Sequence, residues 1–300
     1  MFRPACLADV HWASLCAGAA LSAATCLALA LRRSPPWLLQ WLMAPEVRRS
    51  AWDALKQGHE HAARPRRRAA RLYLIRHGQS EANQQADRVG GRDEKTPLTT
   101  LGERQARKLG ERFKGEGISF DCVFASHAVR AFRTAQLACE VLGFLGRIEV
   151  ERRVVEFSQG ALEQQPRQEV YREGGPIRQR IRAQGNLFFR PPGYSPDGTR
   201  GESAWDTELR FSEFVDGLLM AGESKKPEQR ELVVGVFAHG MAIKSFVRGA
   251  FSAAPSFLVN AQVDNTSITE MVYKPRQDEL GGWSLVRFND ASHLRHLQCG

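Results

Sequence analysis

Apolar positions along the chain fall into three patterns, and each predicts a different element. Residues 13–31 run without a charged side chain. A helix of that length reaches ~28 Å, close to the hydrocarbon thickness of a bilayer. From Leu72 onward the pattern changes to short apolar runs rich in β-branched and aromatic residues, at 72–75, 121–125, 147–155, 231–238, 267–273 and 283–288. Most of them stop at polar or turn residues, as strands do. Between them the spacing becomes helical. Leu101, Ala106, Leu109 and Phe113 mark one face of a helix over 99–113, a second helix is predicted at 129–142, and a third runs from Gly240 to Phe251. Residues 166–221 also read as mostly helical, broken by Gly174-Gly175-Pro176 and by the Pro/Gly-rich stretch 190–198. Strand and helix in alternation predict an α/β fold, a three-layer sandwich with a central, mostly parallel sheet flanked by helices. The hydrophobic helix stands outside it. The expected division is a leader at 1–43, a basic linker at 44–70 and the α/β domain at 71–300.

Charge alters the reading of the leader and leaves the body alone. Of the formal net charge of +9 over 300 residues, residues 1–71 supply +7, with 11 Lys/Arg against 4 Asp/Glu. The basicity belongs to the leader, so a nucleic-acid partner is not expected for the folded body. Arg32, Arg33, Arg48, Arg49 and Lys56 follow the apolar run, while only Arg3 precedes it. If the run spans, this asymmetry places the domain on the cytosolic face. That anchored location through residues 13–31 is the expectation. A targeting peptide cleaved near Ala28-Leu29-Ala30, with an organelle or the soluble cytoplasm as destination, is the alternative, and an ordinary buried helix is a third reading. The six cysteines, Cys6, Cys16, Cys26, Cys122, Cys139 and Cys299, form no C-x-x-C pair, so neither a disulfide framework nor a zinc site is predicted.

Candidate chemistry sits where the strands end. In such a sheet ligands bind beyond the carboxyl ends of the strands. The first run ends on Arg76-His77-Gly78, the second on Ser126 with Arg130 just beyond, and the fourth on His239-Gly240. If these ends are neighbours, two arginines and two histidines converge on a pocket sized for a phosphoryl group, whose oxygens match planar guanidinium forks.

The pattern Arg-His-Gly-x-x-x-x-Asn at 76–83, Ser-x-x-x-Arg-Ala-x-x-Thr-Ala at 126–135, Glu156, Gly201-Glu202-Ser203 and His239-Gly240 resembles the histidine phosphatase superfamily, whose members include phosphoglycerate mutases and many small phosphatases. The resemblance covers about residues 72–290 and implies a phosphoglycerate mutase-like fold. It implies His77 as nucleophile, forming a phosphohistidine without a metal. Arg76, Arg130, His239, Asn83 and Gly240 would bind the phosphoryl group. Glu156 would serve as general acid and then general base. Glu163 is a competing carboxylate, but Glu156 followed by Gly160 fits the family's Glu-x-x-x-Gly spacing. Glu202 reads either as an indirect orienting group or as a plain helix-start glutamate, and Arg172, Arg178, Arg180, Arg182 and Arg190 as a solvated face or, alternatively, as an overhanging group that recognises an acidic substrate. The chain departs from many relatives at Phe157-Ser158 and at His127, which bears on substrate recognition.

The expected function is a metal-independent phosphomonoester hydrolase acting on a small phosphorylated metabolite or a phosphoprotein, without a cofactor. A phosphoglycerate mutase-like phosphotransfer, which would use 2,3-bisphosphoglycerate, is the first alternative. Only 46 positions separate Glu156 from Glu202, short for the insertion by which mutases keep water out. A membrane-tethered, non-catalytic binding protein is the second alternative.

Overall fold

The computed structural model describes residues 68–220, 231–275, 282–295 and 297. The chain divides into two units, residues 1–65 and 66–300, and every described residue belongs to the second. The leader and most of the linker, including the span expected at 13–31, lie outside the described residues. Among the described residues no helix is long and apolar enough to cross a membrane.

In chain order the elements begin with β1 (Ala70–Arg76), α1 (Glu81–Gln84), α2 (Thr100–Gly115), β2 (Cys122–Ala125), α3 (Val129–Leu142) and β3 (Ile148–Val150). There follow α4 (Arg167–Val170), α5 (Pro176–Gln184), α6 (Ala204–Met220), β4 (Leu232–Ala238), α7 (Gly240–Ala250), α8 (Phe257–Asn260), β5 (Ile268–Tyr273) and β6 (Trp283–Asp290). The six strands form one sheet in the order β3-β2-β4-β1-β5-β6.

Why β1 reads as an unbroken apolar run is visible in its packing. Leu72 and Leu74 face Phe211, Val215 and Ile243 of α6 and α7, while Tyr73 and Ile75 face Leu109, Phe113 and Ala135 of α2 and α3. Both faces are covered, so alternation vanishes and only apolar residues fit. This confirms helices on both sides of a central sheet.

The structure corrects three expectations in detail. β3, β2, β4 and β1 are mutually parallel, but β5 pairs antiparallel with β1 and β6 antiparallel with β5, so the sheet is mixed. The short connection from Tyr273 to Trp283 holds no crossover helix among its described residues, and a parallel pair needs a crossover of a dozen or more residues. The strand expected over 147–155 stops at Val150. Glu151 then caps a 3-10 turn, Arg152–Val154, by accepting from Arg153 N at 2.8 Å. The stretch 166–221 is helical only in α4, α5 and α6; residues 185–203 form loops.

The sheet's register brings the predicted strand ends together. Arg76 pairs with Ala238, and Ala125 with Phe237, so Arg76-His77, Ser126 and His239 leave the sheet side by side.

Candidate active site

Backbone bonds fix the nucleophile candidate from both sides. His77 N donates to Ala238 O at 3.0 Å, extending the β1–β4 ladder by one step. From the other side the turn before β5 closes in: Thr266 N donates to Arg76 O at 3.0 Å, and Asn265 Nδ2 donates to His77 O at 3.0 Å. Gly78 N donates to Thr134 Oγ1 at 3.0 Å, and that hydroxyl donates to Arg130 O at 2.7 Å. The threonine of the second motif therefore ties the turn after His77 to α3.

The imidazole tautomer follows from a carbonyl. His77 Nδ1 lies 2.7 Å from Gly78 O, which can only accept, so Nδ1 carries the hydrogen. Nε2 then keeps its lone pair and receives the Arg130 Nε–H at 3.3 Å. Burial first, then the charges of Arg130 and Arg76, hold the His77 pKa well below the ordinary value, against the opposing bond to Gly78 O. The ring is therefore neutral at pH 7, with the Nε2 lone pair turned toward the Arg130 guanidinium.

His239 is fully buried, its ring centroid 5.1 Å from that of His77. Ser126 Oγ accepts from Ala128 N at 3.3 Å and lies 2.9 Å from His239 Nε2. Burial, reinforced by Arg130, His77, Arg210 and Arg76, keeps His239 neutral too. If the serine hydroxyl donates to Nε2, Nδ1 becomes the N–H donor, and Nδ1 has no partner among the described residues. Arg76 donates to Val263 O at 2.6 Å through one terminal nitrogen, while its Nε is buried without a partner among the described residues. Arg130, nearly all buried, holds the carbonyls of Gly91, Arg92 and Asp93 with its other nitrogens. Burial lowers the pKa of both guanidinium groups, with Glu156 opposing.

Glu156 meets the start of α7. One carboxylate oxygen accepts from Phe157 N at 3.0 Å and Ala242 N at 3.1 Å, the other from Met241 N at 3.2 Å. These free amides of a helix N-terminus fix the carboxylate where it lines the same cavity as His77. The competing Glu163 does not line it. It is buried nearby, bonded to Arg92 N, Gln159 N and Ser158 Oγ, and burial raises its pKa.

Of the predicted residues, Arg76, His77, Asn83, Arg130 and Glu156 line one cavity. His239 and Gly240 adjoin it without lining it; a Cβ on Gly240 would stand 3.6 Å from Arg76 Nε. Asn83 Oδ1 accepts from Ser80 N and Ser80 Oγ, both at 3.1 Å, capping the short α1. Glu202 does not line the cavity: it accepts from Arg92 at 2.7 Å and Arg210 at 3.2 Å, and takes Ser158 N at 3.3 Å. In the arginine cluster, Arg178 and Arg182 pair with Glu173 and Arg190 with Asp206, as a solvated face would, yet Arg178 also lines the cavity. Among the described residues no group of three or more His, Cys, Asp or Glu is placed to hold a metal.

Two residues of this site escaped the sequence reading. Arg92 joins its parts: its carbonyl accepts from Arg130, its Nε donates to Glu156 O at 3.1 Å, and its terminal nitrogen holds Glu202. Asn265 spans His77 O and, at 3.3 Å, Asn83 Oδ1. Only the Gly90-Gly91 pair before Arg92 hinted at a close turn.

The family model that matches is the histidine phosphatase superfamily (branch 1), over residues 72–291. A protein of Serratia proteamaculans described as a probable phosphoglycerate mutase GpmB is 28% identical over 229 residues, covering 74% of this chain and 94% of its own. Its counterpart in Cronobacter sakazakii is 29% identical over 223 residues, with the same coverage. Among solved structures, a mycobacterial glucosyl-3-phosphoglycerate phosphatase superposes with a TM-score of 0.59 at 24% identity, over 74% of this chain and 99% of its own. A phosphoserine phosphatase of Entamoeba histolytica, solved with phosphoserine, superposes with a TM-score of 0.57 at 23% identity, over 75% of this chain and 99% of its own.

Proposed function

The chain belongs to the histidine phosphatase superfamily, and from that membership we propose that it hydrolyses phosphomonoesters through a phosphohistidine on His77. One observation carries the reading: His77 Nε2, with its lone pair set by the Gly78 carbonyl, meets the Arg130 guanidinium in the cavity that Glu156 also lines. In the first displacement Nε2 attacks phosphorus, the bond to the alcohol oxygen breaks, and Glu156 gives that oxygen its proton. In the second, Glu156 takes a proton from water, the water oxygen attacks phosphorus, and the P–N bond breaks to release inorganic phosphate. Arg76 Nε, Arg130 and His239 Nδ1 are the donors for the phosphoryl oxygens, whose charge rises as the group moves.

The test is a trapped intermediate. Full-length protein mixed with a phosphomonoester and quenched in alkali should carry phosphate that survives base and is lost in acid, as a phosphohistidine does. His77→Ala should abolish both the label and turnover, by at least about a thousandfold. Turnover by His77→Ala at the wild-type rate would sink the assignment.

A mutase-like transfer is the second reading, favoured by the description of the GpmB relatives. Conversion of 3- to 2-phosphoglycerate, stimulated by 2,3-bisphosphoglycerate and faster than phosphate release, would select it. For location we propose the membrane anchor at 13–31 with the domain on the cytosolic face; release of the full chain by carbonate would remove that proposal.

A further inference from the structure

The cavity that receives the phosphoryl group is much larger than that group. It measures about 950 Å³, at the upper end of the ~300–1,000 Å³ range of pockets that enclose a drug-sized molecule. The groups that meet the phosphoryl are His77, Arg76, Arg130 and Glu156, and Gln159, Gln164, Gln168, Tyr171 and Asn186 add further polar lining. The larger part of the remaining wall is apolar, made by Phe157, Ile181, Phe189, Pro191, Met241 and Leu258. These side chains come from separate segments: the loop after Glu156, α5, the loop before α6, the first turn of α7, and α8.

The wall is backed by packing. Phe189 is buried with Val89, Leu162 and Val170, and Ile181 packs against that cluster. Leu258 is buried with Leu187 and Ala204, and Met241 packs against that group. Two small hydrophobic clusters, separate from the two that cover the sheet, thus hold an apolar surface open to the cavity instead of letting it collapse. The charged lining is unbalanced as well. Among the lining residues Arg76, Arg130, Arg167 and Arg178 stand against Asp93 and Glu156, with Arg178 also paired to Glu173 outside the lining. Arg167 is bonded to the Ala86 and Arg88 carbonyls. A three-carbon ester would leave most of the apolar wall against water, while a bulky apolar alcohol would cover it.

We infer that the substrates are phosphomonoesters whose alcohol part is bulky and largely apolar, uncharged or anionic at its far end, rather than three-carbon acids. This rests on His77 as the phosphoryl acceptor, and it concerns what lies beyond the phosphorus. The test uses unbranched alkyl phosphates from ethyl to hexyl, which share one leaving-group chemistry and differ only in apolar length. For the full-length protein kcat/KM should rise with length, by at least about tenfold across the series, since one methylene in a hydrophobic pocket is worth ~10–200-fold in discrimination. Hexyl phosphate should outrun both O-phosphoserine and 3-phosphoglycerate. Ile181→Asn and Met241→Asn should each flatten the hexyl-to-ethyl ratio, with folding checked by circular dichroism.

A series that is flat or falls with length, or a preference for the three-carbon esters, overturns the inference. Alkyl phosphonates, which cannot be hydrolysed, give the same information as dissociation constants measured by calorimetry. If no ester is turned over but phosphonate affinity climbs with chain length, the hydrolase reading fails and the binding inference stands. If esters are turned over with no dependence on length, the reverse holds.

Discussion

At the residue scale the site is a set of proton positions decided by single acceptors. Gly78 O puts the hydrogen of His77 on Nδ1, and Ser126 can hold His239 with its donor on the free nitrogen. Both rings have pKa values held well below the histidine norm by burial and by the arginines around them. Histidine nitrogen NMR of the free protein should therefore show both as neutral at pH 6.5, where an exposed histidine is half protonated. A charged ring at either position would contradict the account. Ser126→Ala removes the partner of His239 Nε2 and frees the ring to hold its proton there. A roughly tenfold drop in kcat/KM is expected, the scale of one hydrogen bond of ~1 kcal/mol. Glu156→Gln keeps one of the two oxygens that accept at the start of α7 and has no proton to give. Its effect should depend on the leaving group, about 10²–10⁴-fold for alkyl esters and much less for p-nitrophenyl phosphate, whose phenolate departs unaided. An equal loss for both would argue that Glu156 only positions α7.

At the element scale the turn that follows His77 is pressed against α2 by two glycines. A Cβ on Gly102 would lie 2.0 Å from Gln79 O, and one on Gly78 would lie 2.5 Å from Gly102 O. The usual gain from Gly→Ala in a helix interior, about 1 kcal/mol, is outweighed here because backbone must move; overpacking of this kind costs ~1–3 kcal/mol. Gly102→Ala should lower the urea midpoint and cut turnover, since the turn it displaces carries His77. Gly115→Ala, in the last turn of the same helix with nothing within 4 Å, should do neither. The same turn shows what was legible in the sequence. Arg76, His77, Ser126 and His239 close strands whose apolar runs announce them, and a parallel core makes those ends neighbours. Arg92 and Asn265 could not be found that way: each sits in a loop without periodicity, and each matters through partners far along the chain, Glu202 for Arg92 and His77 for Asn265. The antiparallel β5–β6 edge was hidden for a related reason. β5 follows β4 through a long, helix-bearing connection and still runs antiparallel to β1, and apolar patterning carries no trace of strand direction.

At the scale of the whole molecule, acid should undo the fold from its antiparallel edge. Arg112 and Arg287 stitch α2 to β5 and β6 through Glu116, Asp290 and Glu270. Just beyond β6, His293 Nε2 lies 3.0 Å from Thr266 Oγ1, and Thr266 N in turn donates to Arg76 O. The accepting role at Nε2 puts the hydrogen of the neutral ring on Nδ1; protonation would add a donor at Nε2, facing the hydroxyl that now donates to it, and a buried positive charge near Arg112. Burial first, then Arg112, lower the His293 pKa to about 4. The unfolded chain takes up this proton first, so the contribution is complete above pH 6.5 and is lost as pH falls from 6.5 to 4. At ~1.4 kcal/mol per pKa unit that is on the order of 3–4 kcal/mol, reduced by the water that reaches the ring. Asp290 follows lower down. Hydrogen bonds from Ser292 and the charges of Arg112 and Arg287, overcoming burial, hold it at about 2. Its share is present above the ordinary aspartate value and is lost as pH falls toward 2. Urea midpoints of the full chain between pH 7 and 4.5 should therefore decline, and His293→Gln, which can still meet Thr266 without gaining charge, should decline less steeply. His77 and His239 have the same sign and are unchanged in the variant, so the difference between the two slopes isolates His293. Parallel slopes would mean that His293 takes its proton in the folded state as easily as in water, and that the Thr266 contact does not depend on a neutral ring.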